Sequence, residues 1–543
     1  MRMNKTTVFQ AVIMATLMLA ASASILMLPA AARGAASVGV VDFQISCAAD
    51  SRDDFNHALA LTHHMMYGQA RAVFEAIVEK EPTCAMAHWG VAMTLFHPLW
   101  APPGDEELKL GAEAMSRAVS LTLPTARERA HIMAAKAFYE NWETVGHRDR
   151  IAAWKDAQEE LYRTYPGDPD ATAFYALALL AAAPKDDTAY GEQKKAGRIL
   201  EDLHAGAPEH PAGFHYLIHA YDNPLLAAQA VDIARAYDGI APDVPHALHM
   251  PTHIFVRLGL WADVVDWNER SAAAALTYPA GGATSLHYAH AMDYLVYGNL
   301  QIGEDEKALA ALETMNEVRD YQDSFASAYA LAAAGGRYAL ERSQWDEAAR
   351  FSLDTVPGVP WEKYPQFEAI AWFTRGLGAA ISGDLGGAED ARMKLEILHG
   401  QTSRNGQTYW ATIVESQQKT VAAWIAFGKG KGEATAKMRL SADLEDSVDK
   451  HPVTPGAVLP ARELLGDMLF LEKKYTEALE AYEASLKISA NRFRSLYGAA
   501  RAAELAGLND TAREYYRKLL DSAGGDGVNR PEVRQARAYL RNI

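Results

Sequence analysis

The sequence predicts an all-α protein, built as a right-handed superhelical solenoid of helical hairpins. At 543 residues the chain is too long for one compact core, so it must divide into domains or grow by repetition. Apolar residues make up 49% of the chain, alanine is abundant, and the long alternating β-branched runs typical of strands are missing. In addition, a pattern in residues 464–490 recurs 34 residues further on, within residues 496–524. Length, composition and repetition therefore predict stacked helix pairs.

The first 32 residues have the pattern of a secretory signal peptide. Arg2 and Lys5 precede an apolar stretch, and Ala30-Ala31-Ala32 offers small residues for cleavage. The alternative is an uncleaved membrane anchor, because the apolar stretch is slightly long for a signal. We expect cleavage after Ala32, no membrane span thereafter, and a periplasmic or secreted protein.

Two cysteines, Cys47 and Cys84, are the only ones in the chain. In the oxidising compartment that a signal peptide implies, they would form a disulfide bond between the first helical hairpin and the start of the next. The alternative is a pair of buried free thiols. A redox function is not expected, because the C-x-x-C spacing is absent.

The C-terminal pattern resembles the tetratricopeptide repeat. Tyr475, Ala478 and Tyr482 occupy second-helix positions of this repeat, and the same phase starts units at Pro211 and Pro245. The chain also resembles large exported bacterial proteins of this superfamily. The resemblance implies antiparallel helix pairs, which we assign to N-terminal repeats at 47–320 and C-terminal repeats at 321–524. Residues 525–543 are expected to form a capping helix that begins near Pro531.

Histidines are concentrated in residues 210–300, which hold eight of the chain's 18. The family resemblance implies that positions 2, 5, 9 and 12 of each first helix line the groove, and this spacing places them on one helical face. In three successive units these positions are occupied mainly by histidine and aspartate. They are Ala212, His215, His219 and Asp222; His246, His249, His253 and Val256; and His290, Asp293, Tyr297 and Leu300.

Histidines four residues apart on one helical face can offer two nitrogens to one metal ion. We therefore predict a zinc, copper or iron site whose ligands come from three adjacent first helices. The predicted ligands are His215, His219, His249, His253 and His290. Asp222 and Asp293 are the candidate catalytic residues, as proton acceptors, or else they orient a ligand. The alternative is that the imidazoles are hydrogen-bonded groove residues without a metal.

Pro251 lies between two of the predicted ligands, where an interior proline would break a helix. The sequence favours a helix that begins at Pro251, which would leave His246 and His249 on the approaching loop. In that case the argument from helical spacing would not apply to His249 and His253.

Two functions are compatible with these observations. The first is capture of a peptide or protein partner in the concave groove of the solenoid, with His246, Tyr297 and Arg257 as further binding residues. The second is a metalloprotein, such as a metal-dependent hydrolase or oxidase, that uses the repeats to hold its ligands. The sequence does not decide whether the protein is an enzyme. A net charge of −17 argues against nucleic acid as the partner.

A second histidine group in the first two units, which includes His63 and His64, is a weaker candidate site. We interpret it as part of the repeat core.

Overall fold

The computed structural model describes residues 37–99, 102–122, 125–184, 187–354, 356, 358–525 and 527–541. Residues Ser37–Ile543 form one compact unit. The predicted signal peptide lies outside the described residues, and the boundary near residue 320 stays a prediction.

Helices follow one another along the whole described chain. In the first half they are α1 Arg52–His63, α2 Tyr67–Lys80, α3 Ala85–Thr94, α4 Asp105–Ser120, α5 Ala126–Tyr139, α6 His147–Thr164, α7 Pro169–Ala182, α8 Gly191–Gly206, α9 Pro211–Tyr221, α10 Val231–Ala236, α11 Pro245–His249, α12 Pro251–Leu258 and α13 Trp261–Ala275. In the second half they are α14 Leu286–Gln301, α15 Asp305–Glu317, α16 Phe325–Glu341, α17 Trp345–Ala348, α18 Pro365–Ser382, α19 Leu385–Arg404, α20 Thr408–Gly428, α21 Ala434–Glu445, α22 Ala461–Leu471, α23 Tyr475–Ile488, α24 Phe493–Leu505, α25 Asn509–Ser522 and α26 Pro531–Arg541. Short 3₁₀ turns occur at Ala49–Ser51, Ala227–Ala230, Tyr237–Gly239 and Trp361–Lys363.

The packing order confirms the all-α prediction of stacked helix pairs. Consecutive helices contact one another, and alternate helices such as α14 and α16, or α18 and α20, also pack together. Within the described ranges, β pairing is confined to two isolated bridges, Ala280 with Ala283 and Thr284 with Tyr321. The C-terminal helix α26 begins at Pro531, as predicted. None of the described helices is both long and apolar enough to cross a membrane.

Local sequence signals set the ends of several helices. Asp168 accepts hydrogen bonds from the backbone N–H groups of Asp170 and Ala171, and Pro169 follows it at the first helical position of α7. Gly259 ends α12 at a φ of 65°, a conformation that glycine adopts without the steric cost of a Cβ.

The predicted disulfide bond is confirmed. Cys47 and Cys84 are joined, with their Cα atoms 5.2 Å apart. The bond connects the segment before α1 to the residue before α3, so it ties together the first two helix pairs as expected.

The C-terminal helices pack back onto the middle of the chain. Trp261 Nε1 donates to Asn491 O at 2.9 Å, and Gly524 N donates to Ile302 O at 2.9 Å. Arg530 Nε donates to Asp305 Oδ1 at 2.8 Å. Residues 490–530 therefore contact residues 259–305, a return of the chain that the sequence analysis did not predict.

Candidate metal centre

Six histidines from helices α9, α11, α12 and α14 form a continuous cluster, which we call the histidine wall. It consists of His215, His219, His246, His249, His253 and His290. The ring centroids of neighbouring members lie 4.2 to 6.4 Å apart. All five predicted ligands belong to this wall, together with His246, which the sequence analysis treated only as a binding residue.

The expectation that Pro251 would leave two of these histidines on a loop is wrong. His246 and His249 lie in α11, and Met250 keeps helical backbone angles, φ −55° and ψ −39°, between α11 and α12. Proline is tolerated because it is the first residue of α12, where its missing N–H costs little. Thr252 Oγ1 donates to His249 O at 2.7 Å and satisfies a carbonyl at this joint. The four-residue spacing therefore still places His249 and His253 on one face.

The wall contains two groups of three histidines. In the first triad, His215, His219 and His246 bring one ring nitrogen each to within 4.8 Å of one another. In the second triad, His249, His253 and His290 do the same. The closest atoms in each triad are two Nε2 nitrogens 3.1 Å apart, from His215 and His219 and from His249 and His253.

Three of the rings are held by acceptors at their Nδ1 atoms. His215 Nδ1 lies 2.6 Å from His63 O. His249 Nδ1 lies 2.8 Å from Asn268 Oδ1, and the Asn268 amide is itself oriented because its Nδ2 donates to Val264 O at 2.7 Å. His253 Nδ1 lies 3.0 Å from Asp222 Oδ2. The hydrogen-bond network thus assigns the ring proton to Nδ1, which leaves a lone pair on Nε2 in each ring.

Burial keeps the wall neutral. Apart from His219, each of the six side chains is at most 7% exposed. Burial, reinforced by the neighbouring histidines, lowers the pKa of His246, His249 and His290 well below the ordinary value. Burial also lowers the pKa of His219 to about 3. Neutral imidazoles are the form that binds metal ions.

Asp222 joins the wall to a remote segment of the chain. Its carboxylate accepts from Arg257 Nε at 2.8 Å and from Lys450 Nζ at 3.3 Å. Burial opposes ionisation of Asp222, but Lys450 and Arg257 outweigh it and hold the pKa of this carboxyl well below its usual range. Asp222 is thus a permanent anion that orients His253. Its carboxylate oxygens are already hydrogen-bonded to Arg257 and Lys450.

Residues 449–456, which we call the strap, contact the helices of the wall at Arg257 and Tyr294. Arg257 Nη1 donates to Asp449 Oδ1 at 2.7 Å, and Tyr294 OH donates to Pro452 O at 3.4 Å. Tyr294 in turn contacts the second triad, with its ring centroid 4.6 Å from that of His249. The sequence offered no periodic signal for the strap, because it is an irregular connection between α21 and α22.

Two predicted site residues, Asp293 and Tyr297, make buried contacts with arginines rather than with the ring nitrogens of the wall. Asp293 pairs with Arg337, which also donates to Tyr329 OH at 2.7 Å. Burial raises the pKa of Asp293, although Arg337 opposes the shift. Tyr297 OH accepts from Arg492 Nη1 at 2.7 Å. Although both follow His290 on the same helical face, Asp293 and Tyr297 belong to the packing between α14 and later helices.

The weaker histidine group has a supporting function that the sequence analysis missed. His63 Nε2 lies 3.0 Å from Asp170 Oδ1 and His63 Nδ1 lies 3.0 Å from Tyr216 OH, so both ring nitrogens have partners. Its backbone carbonyl receives the His215 proton. Helix α1 therefore helps to orient the first triad, a contact across 152 residues that no local pattern could indicate.

Comparisons with known proteins give only distant structural likenesses. No protein-family model matches the sequence, and no curated protein matches it either. Among solved structures, the human IFIT1 dimer with PPP-AAAA is similar at 13% identity and a TM-score of 0.40, over 86% of this chain and 95% of that chain. The Cut9–Hcn1 hetero-tetramer of APC/C is similar at 14% identity and a TM-score of 0.30, over 90% and 89%. At these scores neither likeness bears on function.

The helix pairs described above define the class of protein. The described part of the chain is an all-helical protein built of stacked helix pairs. Within that class, it is distinguished by the histidine wall on three successive units.

Proposed function

We propose that this protein is an exported metalloprotein whose histidine wall binds transition-metal ions. The observation that carries the proposal is the pair formed by His249 and His253. Their Nε2 atoms face each other at 3.1 Å, although both rings carry their proton on Nδ1.

Two buried lone pairs that point at each other repel, and the low dielectric of the interior strengthens the repulsion. A cation between them converts the repulsion into two bonds. Imidazole nitrogens about 2.0–2.1 Å from one ion lie roughly 3–3.5 Å apart, which matches the observed spacing. His290 adds the third nitrogen of this triad, and its Nδ1 is buried without a hydrogen-bond partner among the described residues.

The surroundings of the wall also support metal binding. Metal-binding histidines are commonly oriented through their second nitrogen by a carboxylate, an amide or a backbone carbonyl. Asp222, Asn268 and His63 O supply one example of each. An all-imidazole set suits zinc, copper, iron or nickel. In this proposal Asp222 positions His253 rather than accepting a proton from substrate.

Metal content tests the proposal. The mature chain is incubated with zinc or copper salts, freed of excess metal, and analysed by mass spectrometry of the elements. We expect at least one ion per chain, and its loss from the His249→Ala/His253→Ala double variant. His399→Ala is the matched control, because its imidazole lies near Ser403 on α19 and outside the wall. A metal-free wild-type chain, or equal metal content in the double variant, would refute the proposal.

Export to the periplasm or beyond is part of the proposal. The disulfide bond between Cys47 and Cys84 supports it, since such bonds persist mainly in oxidising compartments. Cell fractionation tests this point. Recovery of the chain in the cytoplasm with both thiols reduced would contradict it.

Capture of a peptide partner stays a prediction. The strap and the C-terminal helices already cover part of the surface on which a peptide was expected to bind. Tyr329 OH, for example, donates to Thr454 Oγ1 of the strap at 2.6 Å. The histidine wall therefore carries the stronger case.

A further inference from the structure

We propose that the two triads act together as a dinuclear copper centre that binds dioxygen between its ions. The inference rests on the proposed metal binding and adds the number of ions, their identity and the ligand.

The two triads are close enough to form one centre. The ring centroids of His219 and His253 are 6.2 Å apart, and those of His246 and His249 are also 6.2 Å apart. Each pair links one triad to the other. Metal ions in two-metal sites are roughly 3.5–4 Å apart, and one ion on each triad would face the other across these contacts. Each ion would have three nitrogen ligands and an open side toward its neighbour.

The charge of the wall favours copper. Both triads consist of neutral imidazoles, and neither includes a carboxylate. The adjoining charges of Asp222, Asp449, Arg257 and Lys450 sum to zero. Two divalent ions would bring four uncompensated positive charges into a buried site, which is costly. Two cuprous ions bring only two positive charges, and imidazole is a good ligand for copper.

When copper is oxidised, the bound dioxygen becomes an anion and compensates the added positive charge of the ions. Each cuprous ion gives one electron to dioxygen, so two cupric ions and one bound peroxide are formed. The total charge of ions and ligand stays at two, no proton is required, and release of dioxygen returns both electrons. No other reductant or oxidant takes part in this cycle.

The burial of the wall limits the size of the ligand. Five of the six rings are at most 7% exposed, and only His219 is partly open to the surface. Tyr294 covers the second triad, with its centroid 5.1 Å from that of His290. A diatomic molecule fits such a site better than an organic substrate. The structure therefore points to dioxygen rather than to a peptide or sugar.

The experiment uses the whole mature chain, loaded with cuprous ions in the absence of oxygen. Copper per chain is measured first, oxygen is then admitted, and uptake, electronic absorption and electron paramagnetic resonance are recorded. We expect two copper ions, one dioxygen per pair, and an intense near-ultraviolet charge-transfer band that disappears when oxygen is removed. The oxygenated centre should give no paramagnetic signal, because peroxide couples the two cupric spins.

A variant in the first triad tests whether the centre binds two copper ions or only one. His219→Ala leaves the second triad intact, so it should keep one copper ion and lose the band, whereas His399→Ala should behave as wild type. A single copper ion in wild type, or two ions that give the signal of isolated cupric copper and no band, would overturn the inference. Zinc binding without copper binding would overturn it but leave the proposed function intact. Absence of any bound metal would refute both.

Discussion

At the scale of single residues, the decisive feature is the acceptor that holds the Nδ1 atom of His215, His249 and His253. Asn268 lies on α13, between α12 and α14 of the wall, and its Oδ1 accepts the Nδ1 proton of His249. This bond fixes both the tautomer and the direction of the ring, so it prepares Nε2 for a metal ion before any ion is bound. The residue is fully buried, as are its partners in this network.

Replacement of Asn268 by alanine should weaken metal binding by about 10–100-fold, because His249 loses the acceptor that orients it. Affinity is measured by competition with a chelator of known strength. Asn299→Ala is the matched control. Asn299 is equally buried and donates to the carbonyl four residues before it, Leu295 O, at 2.9 Å, but its side chain makes no hydrogen bond to a histidine among the described residues. Equal affinities in wild type and Asn268→Ala would contradict this role.

The sequence predicted the histidines of the wall and one residue that orients them, Asp222, but not the other supporting residues. Histidines at groove positions of consecutive units could be recognised from the period of the repeat. All six members of the wall were named at such positions, five of them as candidate ligands and His246 as a binding residue. His63 and Lys450 could not be found, because a repeat pattern does not report contacts made across many units. Asn268 lies in the same unit as His249, but a single asparagine on a second helix carries no pattern that marks it. Asp293 and Tyr297 share the same helical stripe but turn toward α16 and α24, which the stripe alone does not reveal.

At the scale of helices, the connections between consecutive helices determine both the geometry of the site and part of the folding stability. Pro251 would break a helix in its interior, yet here α11 and α12 meet at it without losing their common face. Another joint lies between α21 and α22, where Glu445 Oε1 accepts from Ala461 N, the first residue of α22, at 2.7 Å. This carboxyl caps the start of α22 from the end of the preceding helix.

Glu445 should make stability depend on pH. Burial raises its pKa from 4.5 to about 7. The folded chain therefore holds this proton more tightly than the unfolded chain, and stability falls as pH rises from about 4.5 to about 7. Glu445→Gln keeps a neutral acceptor, so it should remove this loss and stabilise the protein at pH 8 by on the order of 1–3 kcal/mol.

Urea unfolding at pH 5 and pH 8 measures this effect. The variant and wild type should be nearly equal at pH 5 and differ at pH 8. Glu480→Gln, an exposed glutamate on α23, is the control and should leave the pH dependence unchanged. A Glu445→Gln variant with the pH dependence of wild type would show that the carboxyl ionises freely.

At the scale of the whole molecule, the C-terminal helices of the described chain return to its middle. The sequence predicted the repeats and their order, because each pair has to bury its apolar stripe against its neighbour. It could not predict that residues 490–530 return to residues 259–305, since these contacts join surfaces that no periodicity relates. Closure also explains why α14 is buried on all sides, whereas a groove-lining helix would keep one face exposed.

Two glycines test the closure. Gly259 and Gly507 both have left-handed backbones, with φ of 65° and 76°. A Cβ on Gly259 would lie 2.4 Å from Ala490 O, whereas a Cβ on Gly507 would meet nothing within 4 Å. Alanine at either site costs roughly 1–2 kcal/mol for the backbone conformation, and Gly259→Ala should cost about 1–3 kcal/mol more because the two surfaces must separate. Denaturant unfolding measures the difference, and equal losses would mean that the contact is absent in solution.

The most direct measurement of the central claim is a crystal structure of the copper-loaded chain, with anomalous scattering recorded at the copper edge. We predict a peak about 2.0–2.1 Å from both His249 Nε2 and His253 Nε2, and a second peak on the triad of His215, His219 and His246. A loaded crystal without anomalous scattering at the histidine wall would contradict the account and would identify these imidazoles as hydrogen-bonded residues of the repeat core.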